Sequence, residues 1–264
     1  KLESIKGYRG EISTSEFKKN VKKNGISIIG QNNEICPADK YIYSIRDVTS
    51  TIESSPLICA SIISKKKAEG INALILDIKV GNGAFMKTLK EAKKLGDALI
   101  KLGNSLSINS KYIISDMNEP LGTSAGLWCE VQESVDFLKN TKRDSKLNEI
   151  VFKICSIALN LAGEKNTYEL IERSLSSGKA YETFEKMVMS HSGNLKDSYN
   201  QNNHKYEHII KSNQSGYINK IDTEKLGYIL LEIGGGRKTS KDKIDPSCGL
   251  HIYKKLTQYV EKNE

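Results

Sequence analysis

The sequence predicts an α/β domain, preceded by a small helical piece and followed by a small α+β unit. Three observations predict it. From about residue 71 to 193, apolar β-branched runs alternate with longer amphipathic stretches, the pattern of strands and helices sharing one sheet. Asn194 to Lys205, NLKDSYNQNNHK, is polar and poor in aromatics and reads as a linker. Beyond it, short strand-like runs flank one capped helix.

Taken in order, Ser55-Pro56 is a helix start: the Ser55 hydroxyl suits a cap, and proline is tolerated where no N–H is needed. Leu57, Ile58, Ala60, Ile62, Ile63 and Ala68 carry the helix to Gly70, which can take the left-handed conformation that ends it, so the helix is placed at about 56–69. Ala73 to Val80 is apolar enough for a buried strand, and Gly81-Asn82-Gly83 turns into the next helix. That turn has neither the full dinucleotide fingerprint nor a Walker lysine, so it is read as structural rather than as an anion site. Asp77 and Lys79 share one strand face and are also read as structural.

Further helices are expected near 87–102, 130–139, 145–162 and 167–190, with a second strand near 111–115. Pro120-Leu121-Gly122 and the small polar residues after it are expected to form a loop. After the linker, strands are expected at His208 to Lys211 and Tyr217 to Lys220. A helix capped by Asp222-Thr223 should then run from Glu224 to Ile233, closed by Gly234-Gly235-Gly236.

The richest stretch is Tyr43 to Met86, YSIRDVTSTIESSPLICASIISKKKAEGINALILDIKVGNGAFM. Ser61 and Lys65 are four apart on the predicted helix, so a hydroxyl and an ammonium share one face one turn apart. By itself the run Lys65-Lys66-Lys67 would be a solvated last turn suited to the helix dipole. The surrounding pattern changes that weighting.

The run RDVTSTIESSPLICASIISKKKAEG, continued by LILDIKVGNGAFM, resembles the pyrimidine nucleoside phosphorylases, where the family has an RDVTATVDS-like run, PLITASI, SKK-AEG and LVLDVKVGSGAFM. The thymidine-specific members resemble it most. LESIKGYR, GQNNEICPADK, SDMNEPLGTSAG and SGYINKIDTEKLGYILLEIGGGRKTSKDKIDPSCGLHIYKKL extend the resemblance over essentially the whole chain. It implies a nucleoside phosphorylase/phosphoribosyltransferase-type fold. Residues 1–36 would be the tail of the phosphate-binding part, 37–69 the returning segment of a small helical domain, 70–193 the α/β domain, and 206–264 a truncated C-terminal α+β domain. Phosphoribosyltransferases of the same fold are expected to lack that last domain.

The resemblance further implies that Arg46, Ser61 and Lys65 contact the pyrimidine base, with Tyr43 nearby, Arg46 and Lys65 being catalytic. Chemistry agrees: breaking the C1′–N1 bond sends negative charge onto the carbonyl oxygens of the departing base. Fixed cations aimed there favour the transition state over the neutral substrate. Arginine offers a planar fork, lysine a point charge, and serine both a donor and an acceptor.

The expected reaction is thymidine plus phosphate giving thymine and 2-deoxy-α-D-ribose 1-phosphate, reversibly. A broader activity that includes uridine, or a non-catalytic growth-factor-like role, are the alternatives. No organic cofactor is expected. Bacterial relatives imply a potassium-type cation held by the Leu121 and Ser124 carbonyls and the Glu133 carboxylate, although a first-turn glutamate such as Glu133 also suits a helix N-terminus without any metal. The family is usually a homodimer whose active site closes between its domains. The chain opens at Lys1-Leu2-Glu3-Ser4, inside an LDKLES-like run that follows the family's phosphate loop. On that ground the chain is expected to be incomplete and inactive alone.

At 264 residues the chain is long enough to bury roughly three quarters of its unfolded surface. Hydrophobic content of 38% fits a globular protein, and no run is long enough to span a bilayer, so no membrane partner is expected. Cys36, Cys59, Cys129, Cys155 and Cys248 are scattered and odd in number, pointing to free thiols in a reducing compartment and hence to the cytoplasm. His204 and His208 are four apart but lack an acidic HExxH core, so no metal site is assigned to them. The net charge of +8 comes from lysines spread among 32 acids with no basic, aromatic-interleaved module. It is read as solubility and attraction of anionic substrates, not nucleic-acid binding.

Overall fold

The computed structural model describes residues 1–30, 34–49, 51, 54–237 and 242–264. In chain order these hold α1 (Thr14–Asn24), α2 (Pro37–Val48), α3 (Ser55–Ala68), β1 (Ala73–Val80), α4 (Leu89–Ser105) and β2 (Asn109–Asp116). Then follow β3 (Ser124–Gly126), α5 (Trp128–Leu138), α6 (Ser145–Leu161), α7 (Thr167–Ser176), α8 (Lys179–Ser190) and α9 (Leu195–Gln201). The remainder are β4 (Gly216–Tyr217), α10 (Thr223–Leu230), β5 (Gly249–His251) and β6 (Tyr259–Val260). They gather into two compact units: one is Lys1–Gly10, Asp116–Asn148 and Ser174–Glu264, the other Glu11–Ser115 and Glu149–Arg173.

In the second unit, β1 and β2 hydrogen-bond side by side with α4 as their connection. The core is Ile63 of α3, Leu74 and Ile78 of β1, Ala92, Leu95 and Leu99 of α4, and Ile108. α4 begins with a capping box: the Glu91 N–H donates to Thr88 Oγ1 (3.3 Å) and the Thr88 N–H to Glu91 Oε2 (3.0 Å). Gly96 and Gly103, seven apart on one face of α4, let the helix lie tight on its neighbours. A Cβ at Gly96 would come within 2.7 Å of the Tyr112 ring, and one at Gly103 within 2.2 Å of Ser110 Oγ. The Gly81-Asn82-Gly83 turn is closed by Gly81 N–H to Met86 O (3.1 Å) and Ala84 N–H to Gly81 O (3.1 Å).

The first unit has its own core of Ile5, Tyr8, Trp128, Val131, Val135, Met187, Val188 and Leu195. Its first ten residues are fastened by distant sequence. The Arg9 N–H donates to the His191 carbonyl, the Asn194 N–H to Lys6 O, the Lys6 N–H to Ser198 Oγ and Asn202 Nδ2 to Ser4 O, all within 2.7–2.9 Å. Tyr8 stacks on the fully buried His191 at 4.7 Å. Burial and nearby Glu3 push the Tyr8 phenol up to about 12.

Several sequence expectations are corrected here. Residues 167–190 form two helices, because Gly178 takes φ +75° and its N–H closes α7 on Leu175 O. The stretch expected as a linker holds α9, because Asn194 caps it and Leu195 and Ser198 are buried; polar composition concealed one apolar contact and one buried, hydrogen-bonded serine. No strand forms at His208 to Lys211, where Ile209 and Ile210 are exposed.

The expected strand at Tyr217 to Lys220 shortens to Gly216–Tyr217, antiparallel to β6. α10 stops at Leu230 and a π-turn, Leu231–Gly235, takes over. Ser124–Gly126, expected as loop, is a strand because β5 pairs with it antiparallel, Ser124 opposite His251. A partner more than a hundred residues away leaves no local signal. No helix among the described residues is long and apolar enough to cross a membrane.

Candidate functional site

A cluster of charged and polar groups lies where α2 packs on α3, inside the second unit. α3 starts one residue earlier than expected: Ser54, not Ser55, occupies the cap position, and its side chain makes no capping bond. Pro56 has no N–H to offer such a cap, which removes one of its two usual donors. The helix is closed by the Ile58 N–H to Ser54 O bond (2.9 Å) and ends before Gly70 at φ +73°, as the glycine predicted.

On α3 the spacing of Ser61 and Lys65 becomes a direct contact, Lys65 Nζ donating to Ser61 Oγ at 2.9 Å. The three neighbouring lysines part company. Lys66 pairs with Glu69 outside the cluster, Lys67 donates to Leu106 O, and Lys65 alone turns toward α2. There it meets Asp39, with Nζ 2.9 Å from Oδ2 and both side chains mostly buried.

Arg46 is buried, its Nε and Nη2 donating to the Thr51 carbonyl at 3.4 Å and Nη1 to the Leu57 carbonyl at 3.2 Å. The guanidinium therefore binds the end of α2 to the start of α3. The Tyr43 side chain lies outside the described residues.

Asp39 escaped the sequence reading, although a signal existed: it stands seven residues before Arg46, two turns along the same face of α2. Burial would raise its carboxyl. Hydrogen bonds from Lys65 and Ser61, with the positive charges of Lys65 and Arg46, outweigh burial and hold it below its ordinary 3.8. The carboxylate thus stays ionised at neutral pH and keeps the Lys65 ammonium in place. Among the described residues the cluster holds two cations against one anion, and Lys65 donates to both Ser61 and Asp39. Such an arrangement can stabilise negative charge on a bound carbonyl oxygen.

The residues expected to hold a monovalent cation lie in the first unit. Glu133 Oε1 accepts from the Thr123 N–H (2.6 Å) and Oγ1 (2.8 Å), and Oε2 from the Ser124 N–H (3.2 Å). The Leu121 carbonyl accepts from Lys255 Nζ at 2.8 Å. On β1, Asp77 and Lys79 pair as their shared face allowed, joined by Ser115: Lys79 Nζ lies 2.6 Å from Asp77 Oδ2 and 2.8 Å from Ser115 Oγ. All five cysteines are free thiols.

A family model described as glycosyl transferase family, a/b domain, matches residues 1–181. A second, described as the pyrimidine nucleoside phosphorylase C-terminal domain, matches residues 217–264. The chain is 42% identical to a protein of Colwellia psychrerythraea named thymidine phosphorylase. It is 39% identical to one of Staphylococcus haemolyticus and 38% identical to one of Staphylococcus aureus, both named pyrimidine-nucleoside phosphorylase. Each match covers 100% of this chain but 62% of the relative's length.

Proposed function

Because the chain belongs to the glycosyl transferase family through its a/b domain, and continues into a pyrimidine nucleoside phosphorylase C-terminal domain, we propose that the protein containing it phosphorolyses pyrimidine nucleosides. Thymidine is the substrate favoured. The observation that carries this reading is the Lys65 ammonium held between Ser61 and Asp39. Phosphate attacks C1′ of the sugar as the bond to N1 breaks, giving the base and the sugar 1-phosphate. The departing base carries the electron pair, spread over its two carbonyl oxygens and ring nitrogens.

Lys65 places a fixed positive charge against one carbonyl, and Ser61 turns its hydroxyl to the ring N–H beside it. Arg46, fixed by the Thr51 and Leu57 carbonyls, adds its charge without needing to reorganise. Asp39 touches no substrate in this scheme; it positions Lys65. Phosphate as co-substrate and a homodimeric assembly belong to the same proposal.

The test is phosphate-dependent release of thymine from thymidine by the purified protein that contains this chain, with uridine as a second substrate. Lys65→Ala is expected to lower turnover by at least about 10²-fold, the scale of losing one preorganised donor. A variant with unchanged kinetics would take Lys65 out of the site. Uridine turning over as fast as thymidine would assign the broader activity, which the two staphylococcal relatives carry in their names.

A further inference from the structure

We propose that the Lys255 ammonium is this chain's own cation at the Leu121–Glu133 loop, taking the place of the monovalent metal ion that the family resemblance implies there. Lys255 is a lysine with its side chain only 6% exposed. Its Nζ donates to the Leu121 carbonyl at 2.8 Å and to Asp144 Oδ1 at 3.1 Å, one carbonyl and one carboxylate. Those are the oxygen types that a hard monovalent cation takes.

The position is built rather than incidental. The Lys255 N–H donates to Gln258 Oε1 at 2.8 Å, and the next N–H, of Leu256, to Glu119 Oε2 at 2.7 Å. Glu119 is itself 3% exposed and paired with Lys146. Upstream, β5 pairs with β3, and the Ile252 N–H donates to the Thr123 carbonyl at 2.8 Å. The backbone around Lys255 is thus fastened on both sides to the loop its ammonium enters.

The Glu133 carboxylate, also expected to ligate the metal ion, is already taken up by the chain's own donors. Both Glu133 oxygens carry N–H or O–H donors from Thr123 and Ser124. The carboxylate also lies so close to Gly122 that a Cβ there would come within 2.3 Å of Oε2. A second cation at the Leu121 carbonyl would face the Lys255 charge across one oxygen, and like charges in a poorly hydrated site repel strongly. The loop is therefore organised without a metal ion, and the positive charge arrives with the chain.

The readout is stability, so the inference stands or falls apart from the proposed activity. The protein is melted at equal ionic strength in potassium, sodium and tetramethylammonium chloride, with Lys255→Ala beside it. The wild type should melt within about 1 °C in all three, whereas an ion bound only by the folded state raises Tm by several degrees at saturation. Lys255→Ala should melt at least about 2 °C lower in tetramethylammonium and recover part of that loss in potassium or ammonium chloride.

A potassium-specific, saturable rise in the wild type overturns the proposal. So does a variant as stable as the wild type. A variant that no small cation restores reduces Lys255 to an ion-pair partner of Asp144, which also overturns it. Should the variant fail to fold, the wild-type series decides.

Discussion

Lys65 and Lys66 are adjacent residues of one type, yet one is mostly buried between Ser61 and Asp39 and the other answers an exposed glutamate one turn away. What separates them is which face of α3 meets α2, a fact about packing that composition does not contain. The four-residue spacing of Ser61 and Lys65 was legible because a helix fixes it. For Asp39 the sequence shows only that it shares a face of α2 with Arg46; its pairing with Lys65 depends on α3 packing there.

Removing its charge gives a test at this scale. Asp39→Asn should lower turnover on thymidine by about 10- to 100-fold while leaving Lys65 intact, the effect of a misplaced rather than missing group. Its pH signature follows from the direction of the shift. A carboxyl held below 3.8 in the folded state binds fewer protons there than when unfolded. Its contribution is therefore full above the unfolded value and fades as pH falls through the lowered folded one. The stability gap between wild type and Asp39→Asn, followed by denaturant unfolding, should be flat above about pH 5 and close in acid.

Elements carry a different kind of information. β1, α3, α4, α5 and α6 were legible because each writes its own period and its own stop. Thr88 and Glu91 at the start of α4 form a reciprocal cap that local sequence can show, and Thr88→Ala should cost about 1 kcal/mol in urea unfolding. The short strands β3, β4, β5 and β6 were illegible or misplaced, since two or three residues hold no period and their partners lie far along the chain. Gly178 shows the intermediate case: a glycine inside a helical pattern is ambiguous until its positive φ is seen. Gly103 is the sharper test. Gly103→Ala should destabilise by about 1–3 kcal/mol, because the new methyl meets Ser110 on β2.

At the scale of the whole molecule, the described residues gather into two units, each built from separated stretches. Each has its own buried cluster, so Leu99→Ala in one and Val135→Leu in the other test different cores. Leu99→Ala should cost about 2–5 kcal/mol by cavity formation, and Val135→Leu about 1–3 kcal/mol by overpacking, both read from unfolding curves. No linear scan finds such units, because chain order and spatial neighbourhood diverge at residues 10, 115, 148 and 173.

The fastening of Ser4, Lys6, Tyr8 and Arg9 by residues 191–202 has a consequence in time. A ribosome adding about 5–20 residues per second makes the first segment wait roughly 10–40 seconds before its hydrogen-bonding partners exist. During that interval Ile5 and Tyr8, which end up buried, stand in water or in the grip of a chaperone. Residues 4–9 thus wait for partners made much later, and slow translation of the stretch between them and residues 191–202 would prolong their exposure.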